Sequence, residues 1–258
     1  DYNLLMELTI HRGTEQIGGT VITVRTPNTC IALDAGTALE GDALEEKQRL
    51  SAILGEAADG IFLTHAHPDH AGLLMERNLR SPVYMTEDTQ KILLAASLLG
   101  NGTSVSRDLV RKLPLGNPIR IGDLSVTAFE VDHSVAGAVA FLVEGDGTRL
   151  LYTGDIRMHG IHLARTEELC KAVAGRVDVL LMEGTNMDTQ RPDVVKSEGD
   201  VHREIAASVT AARGLVLAHC SPQNVDRILG FINAARASGR IFVADVYTAF
   251  VLYLLKRR

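Results

Sequence analysis

The sequence predicts an α/β protein in two parts, and three observations lead there. Residues 1–185 place short apolar runs and helical stretches between Gly-rich turns. Histidine and carboxylate side chains gather at the ends of several of those runs. After Asn186 the patterns of helix and strand alternate strictly, which is the βαβα order of a parallel sheet. The 258 residues, 46% of them hydrophobic, suffice for one large domain plus part of a second. A boundary is expected near residue 190, giving units 1–189 and 190–258.

Taken in order, Leu4–Ile10 and Thr20–Arg25 are strand candidates separated by Gly18-Gly19. Thr29–Asp34 is a third strand, running into Ala35-Gly36. Leu44–Leu54 carries apolar residues at helical spacing, Leu44, Leu50 and Ile53 or Leu54 sharing a face. Gly60–Leu63 reads as a buried strand and Ala71–Arg77 as a helix. Val83–Met85 is a strand and Glu87–Leu99 a helix stopped by Gly100. Residues 100–118 are expected to form a loop with one or two helical turns. Leu124–Val131 is a strand ending at Asp132-His133. Ala138–Glu144 and Thr148–Tyr152 form a hairpin about Gly145-Asp146-Gly147. Thr166–Ala174 is helical, and Val177–Met182 is a strand ending at Glu183. In the second part, helices are expected at His202–Arg213, Asn224–Ser238 and Thr248–Lys256, with strands at Gly214–His219 and Arg240–Ala244.

Composition narrows the class. No apolar run reaches the ~20 residues of a membrane span, and no signal peptide is visible after Asp1. Cys30, Cys170 and Cys220 are odd in number and widely spaced, as expected of reduced thiols in a cytoplasmic protein (nuclear, in a eukaryote). The Asn101-Gly102-Thr103 sequon then marks only a polar loop. A net charge of −6 argues against non-specific nucleic-acid binding, although a local basic groove fits within that sum.

The strongest signal is Thr64-His65-Ala66-His67-Pro68-Asp69-His70. On an extended stretch, residues two apart point the same way, so His65 and His67 can address one metal ion. The chain then turns, and Asp69 and His70 can address a neighbouring one. Imidazole and carboxylate suit Zn²⁺, Mn²⁺ or Fe. His133 and Asp155 also follow strand ends. Gly154, just before Asp155, allows close backbone approach. A carboxylate at Asp155 can bridge two cations and offset their charge.

The order Leu33-Asp34-Ala35-Gly36, then the His-rich cassette, a lone His and Thr153-Gly154-Asp155 resembles the metallo-β-lactamase superfamily over residues 1–185. The resemblance implies an αββα sandwich. It also implies that His65, His67 and His133 hold one metal, Asp69 and His70 a second, and Asp155 both. Asp34 would orient the cassette from behind the ligands. Two divalent ions are implied, zinc in preference to manganese. The stretches Val177–Thr185, His219–Arg227 and Gly239–Tyr247 resemble the opening of a β-CASP domain, the insertion found in ribonuclease J and in pre-mRNA cleavage nucleases. Glu183 matches that group's first acidic motif.

These resemblances imply a phosphodiester hydrolase, with RNA as substrate and DNA as the alternative. Water activated by two metal ions would attack phosphorus, and Asp69 would orient it. A glyoxalase II-like thioesterase is the rival enzyme. It would carry a helical substrate domain instead of βαβα. A non-cleaving RNA- or partner-binding subunit is the non-enzymatic rival, and such subunits lose cassette ligands that this chain keeps. The superfamily's last His for metal two, expected after the inserted domain closes, has no counterpart here. His202 and His219 stand in the wrong context. The chain is therefore expected to be a piece of a longer protein. On that view it is a poor hydrolase alone, with an exposed sheet edge inviting a homodimer.

Overall fold

A computed structural model of the chain describes residues 6–39, 44–57, 59–75, 80–100, 105–185 and 195–256. The expected boundary near residue 190, the sequon at 101–103, and the ends of two expected elements (Leu4 and Arg77) lie outside them. The first sheet holds, in spatial order, β1 (Glu7–Arg12), β2 (Val21–Arg25), β3 (Cys30–Leu33), β4 (Gly60–Phe62), β5 (Val83–Met85) and β6 (Val110–Lys112). Its first three strands pair antiparallel and the rest parallel. The second sheet contains β7 (Ile119–Ile121), β8 (Leu124–Glu130), β9 (Val139–Gly145), β10 (Thr148–Tyr152) and β11 (Val179–Leu181), in spatial order from β11 to β7. Only β10 and β11 pair parallel in that sheet.

Period-two alternation explains how the sheets stack. In β3, Ile31 and Leu33 face one way and Cys30 and Ala32 the other, and all four are buried. The inward set meets Phe62 of β4, Val126 and Ala128 of β8, and Val139, Phe141 and Val143 of β9 in one core between the sheets. Phe62 stacks on Tyr84 at 4.5 Å and meets Phe141 edge-on at 5.7 Å. Outside the first sheet, Leu50 and Leu54 of α1 (Leu44–Glu56) cover Ala32, Ile61 and Leu63. Outside the second, Ile92 of α3 (Glu87–Leu99) and Leu169 and Val173 of α4 (Leu163–Val173) cover Ala140 and Leu151. Strands buried on both faces read as continuous apolar runs, as β3 and β4 do. The layers make an αββα sandwich.

Several local details depart from the sequence reading. The helix expected at Ala71–Arg77 begins earlier. It comprises α2 (Pro68–Ala71) and a 3₁₀ turn over Gly72–Met75. Pro68 has its φ preset for a first helical position, so the helix starts there. Residues 110–112 form β6 where a loop with helical turns was expected, because β5 offers them a parallel ladder. β7 was not expected either. It turns back onto β8 across Gly122-Asp123. The hairpin between β9 and β10 turns on Asp146 and Gly147, both at positive φ (52° and 76°), as a two-residue type I′ loop requires.

The second part folds as α5 (Glu198–Ala211), α6 (Val225–Ala237) and α7 (Val246–Leu255). The strands expected at 214–219 and 240–244 do not form. Among the described residues nothing pairs with either segment, and a strand without a ladder partner has no hydrogen bonds to define it. A cavity of about 650 Å³ opens between them. Arg240 links their starts, donating to the carbonyls of Gly214 and Ala212. No helix of the described residues is long and apolar enough to cross a membrane.

Candidate metal centre

Four strand ends from both sheets deliver the residues in question to one edge of the sandwich. β3 runs into Asp34, β4 towards Thr64-His65, β8 towards Asp132-His133, and β10 into Thr153-Gly154-Asp155. The Val139 N–H donates to the Thr64 carbonyl at 3.0 Å, joining the sheets at this edge. Gly154 has φ 53°, and a Cβ there would stand 2.8 Å from the Thr64 side chain, so only glycine lets the two loops approach.

His65, His67, His133 and Asp155 point ligand atoms at a common space, all within 4.8 Å of one another. His65 Nε2 is 3.0 Å from His67 Nδ1, which is 3.2 Å from His133 Nε2. Asp155 Oδ2 is 3.8 Å from His65 Nε2 and 3.7 Å from His133 Nε2. Asp69, His70 and Asp155 form a second convergent group. There Asp155 uses its other oxygen, Oδ1, 3.2 Å from His70 Nε2, which is 3.9 Å from Asp69 Oδ2. One carboxylate thus faces both groups.

The donor set fits a metal. Ligands about 2.0–2.1 Å from a tetrahedral ion lie roughly 3.3 Å apart, in the middle of the distances in the first group. Three ring nitrogens facing one another leave lone pairs that protons cannot all match, and a cation satisfies them. Burial, reinforced by the neighbouring imidazoles, holds His65 well below its usual protonation range. Burial also lowers His67 and His133, against the pull of nearby carboxylates. All three imidazoles thus favour the neutral form, the one able to bind a metal. His70 goes the other way. Burial would lower it, but Asp34 and Asp155 on either side raise it well above the usual range. Burial would raise Asp155, and the hydrogen bond from His70 with the nearby imidazoles brings it down instead.

Asp34 is fully buried with φ 59°, a left-handed conformation that Asp tolerates better than most side chains. Its carboxylate accepts from the Thr64 N–H at 2.7 Å, the Thr64 hydroxyl at 2.8 Å, the Tyr152 hydroxyl at 2.7 Å and His70 Nδ1 at 2.7 Å. The bond from Nδ1 to Asp34 turns the His70 ring so that Nε2 faces Asp155 and Asp69. Glu183 Oε1 accepts from the Ile156 N–H at 2.6 Å, steadying the residue after Asp155. His202 and His219 stand apart from both groups. His202 Nε2 meets the Asp226 carbonyl at 2.9 Å, and His219 lines the cavity beside 240–244.

Sequence reasoning missed Thr64 and Tyr152. Thr64 sits inside the cassette, where a hydroxyl between a strand and a ligand is a usable signal. Tyr152 closes an apolar strand, and a buried tyrosine hydroxyl needs a partner. That the partner lies 118 residues away is not in the pattern. A cleft of about 330 Å³ reaches His70 and Asp155 of the second group and is lined also by Thr14, Ile17, Glu183 and Thr185.

An αββα sandwich whose strand ends converge on buried imidazoles and one shared carboxylate defines a metallohydrolase scaffold. The family model described as "Beta-lactamase superfamily domain" matches residues 29–220, and the chain belongs to that family. Curated relatives include ribonuclease J of Helicobacter pylori, 23% identical over 84% of this chain and 33% of its own length. Ribonuclease J of Sinorhizobium meliloti is 30% identical over 70% of this chain and 32% of its own length. The probable RNase MJ4 of Methanocaldococcus jannaschii is 26% identical over 73% and 47%. The chain spans about a third of the length of the ribonuclease J relatives. A crystal structure of a protein of unknown function from Enterococcus faecalis V583 superposes with a TM-score of 0.77. It covers 96% of this chain and 67% of that one at 24% identity, a likeness that speaks for the fold.

Proposed function

We propose that this chain is the catalytic part of a metal-dependent ribonuclease that holds two divalent ions, zinc in preference to manganese. The observation that carries the reading is Asp155, whose two oxygens face two separate donor groups. His65, His67 and His133 with Asp155 would hold one ion, and Asp69 and His70 with Asp155 the other. When bound, the ions supply Lewis acidity, acidifying water and neutralising the charge of a phosphodiester. The protein's own residues do the rest. Asp69, at the mouth of the second group, orients the attacking water and accepts its proton. Asp34 fixes His70. Glu183 holds the Asp155 loop against the cleft wall. RNA is named because curated relatives are ribonucleases. Three unpaired cysteines accord with a cytoplasmic setting. Residues 1–189 and 190–258 would be the sandwich and the opening of a second domain.

One observation favours a thioesterase as second reading. The strands at 214–219 and 240–244, which set that reading aside on sequence, are unformed, and residues 195–256 fold as helices. The ribonuclease relatives support the nuclease instead. The test is metal analysis of the natural full-length polypeptide, followed by its incubation with labelled RNA, labelled DNA and a thioester. Metal-dependent cleavage of RNA is expected. His67→Ala and Asp155→Ala should each abolish it while the protein stays folded, because the large apolar core does not need the ions. Intact RNA alongside hydrolysed thioester would replace this reading by its rival. Preference for DNA would move it within the nucleases.

A further inference from the structure

Beside the candidate centre lies a dense assembly of buried charge. Asp132 immediately precedes His133, and Arg157 follows Asp155 by two positions. Arg157 Nε donates to Asp132 Oδ1 at 2.8 Å, and the Arg157 N–H donates to the Asp132 carbonyl at 2.8 Å. The two ligand-bearing loops are thus locked to each other at two points. The second Asp132 oxygen accepts from the His162 N–H at 3.1 Å. Gly160 closes the loop over this pair, and a Cβ there would overlap both Asp132 and Arg157.

The rest of the Arg157 guanidinium faces the helices. Its Nη2 donates to Asp226 Oδ2, in the first turn of α6, at 2.8 Å. Its Nη1 stands 3.7 Å from Glu198 Oε2, at the start of α5. Glu198 is nearly buried. Arg227 of α6 holds both its oxygens, at 2.5 and 2.9 Å, and its N–H donates to the His159 carbonyl at 2.8 Å. A third tie, the bridge between Val135 and Asn224, joins the His133 loop to the N-cap of α6.

Within this network Arg157 alone touches Asp132, Asp226 and Glu198 together. The planar fork of a guanidinium reaches carboxylates on opposite sides, which an ammonium group cannot do. Without Arg157, the buried Asp132 carboxylate would be left with one backbone donor, and the loops would shift to rehydrate it.

We infer that Arg157 is a positioning residue that couples the seating of α5 and α6 to the geometry of the His133 and Asp155 loops. A substitution on α6 then changes metal affinity at ligands it does not touch. The inference rests on the metal reading of the cluster. Its test uses two readouts, Zn²⁺ affinity by chelator competition and the visible absorption of the Co²⁺-loaded protein. The variants are Arg157→Met, Arg157→Lys, Asp226→Asn and, as control, Thr210→Ala. The Thr210 hydroxyl meets Ser238 at 3.1 Å, joining the same helix pair away from the network.

Arg157→Met and Asp226→Asn are each expected to weaken the first Zn²⁺ about 10-fold or more and to alter the Co²⁺ bands. Arg157→Lys should fall between them and the unaltered protein, and Thr210→Ala should match the unaltered protein. Asp226→Asn is nearly isosteric and keeps an acceptor, so it decides the matter should Arg157→Met fail to fold. Unchanged affinity and spectrum in folded Asp226→Asn would overturn the coupling. An unaltered protein that binds neither Zn²⁺ nor Co²⁺ would instead overturn the metal reading itself.

Discussion

The strand β3 and the segment 214–219 carry the same kind of pattern and meet opposite fates. In β3 both alternating sets are buried, one between the sheets and one under helices. In 214–219, Leu215 and Leu217 are 87% and 86% exposed, and across the cavity Ile241 and Val243 are 90% and 83% exposed. Alternation decides which side chains share a face. It does not supply the neighbour that covers the face or pairs the backbone. The sandwich is held by apolar layers. The helices α5 and α6 lean on it through the Asp132, Arg157, Asp226 and Glu198 network. The two regions should therefore respond differently to the same kind of perturbation.

The largest difference is expected from Phe62→Ala. Phe62 is fully buried where both sheets and two aromatic rings meet. Its truncation should cost about 3–5 kcal/mol in denaturant unfolding of the metal-free protein. A cost under about 1 kcal/mol would mean that the inter-sheet core is far looser than described.

Next comes Asp34→Ala, which removes the group that aligns His70 and Thr64. Metal affinity should fall roughly 10–100-fold, read by chelator competition. Unchanged affinity would reduce Asp34 to a turn residue. A Zn²⁺ titration sharpens the same point. The first donor group has three imidazoles and the second has one. Binding should therefore resolve into a tighter and a weaker step, about 10-fold or more apart. Two equal steps would show that another group completes the second site.

A smaller effect is expected with acid. The paired hydrogen bonds from Arg227 hold Glu198 below the usual carboxylate range, against the opposing effect of burial. A carboxylate lowered in the folded state stabilises fully above its unfolded value, about 4.3, and the stabilisation is lost as pH falls through the lower folded value. Amide hydrogen exchange along a pH series should show α5 losing protection before β9. If α5 stays protected to the pH at which β9 opens, the charge network is not what holds the helix. The smallest effect should come from Leu217→Ser, within about 0.5 kcal/mol, since the side chain already meets solvent. A loss of several kcal/mol would mean that this face is covered in solution.

What the sequence determined by itself was mostly local. Val83–Met85, Glu87–Leu99 and Thr148–Tyr152 have the bounds that periodicity and turn chemistry indicate. Thr86 caps α3 by accepting from the Thr89 N–H. The types of the chemical side chains were legible too. Three histidines and an aspartate within six positions restrict the chemistry whatever the fold, and all six candidate ligands meet at one edge. Tertiary structure decided what depends on partners distant in the chain. Residues 110–112 are a strand because β5 pairs with them, and 214–219 is not one because nothing among the described residues does. Asp34 meets Tyr152 across 118 positions, and Arg157 meets Asp226 across 69. Periodicity reports on a residue's neighbours along the chain, a hydrogen bond needs its partner in space, and only the stacked sheets and docked helices bring those partners together.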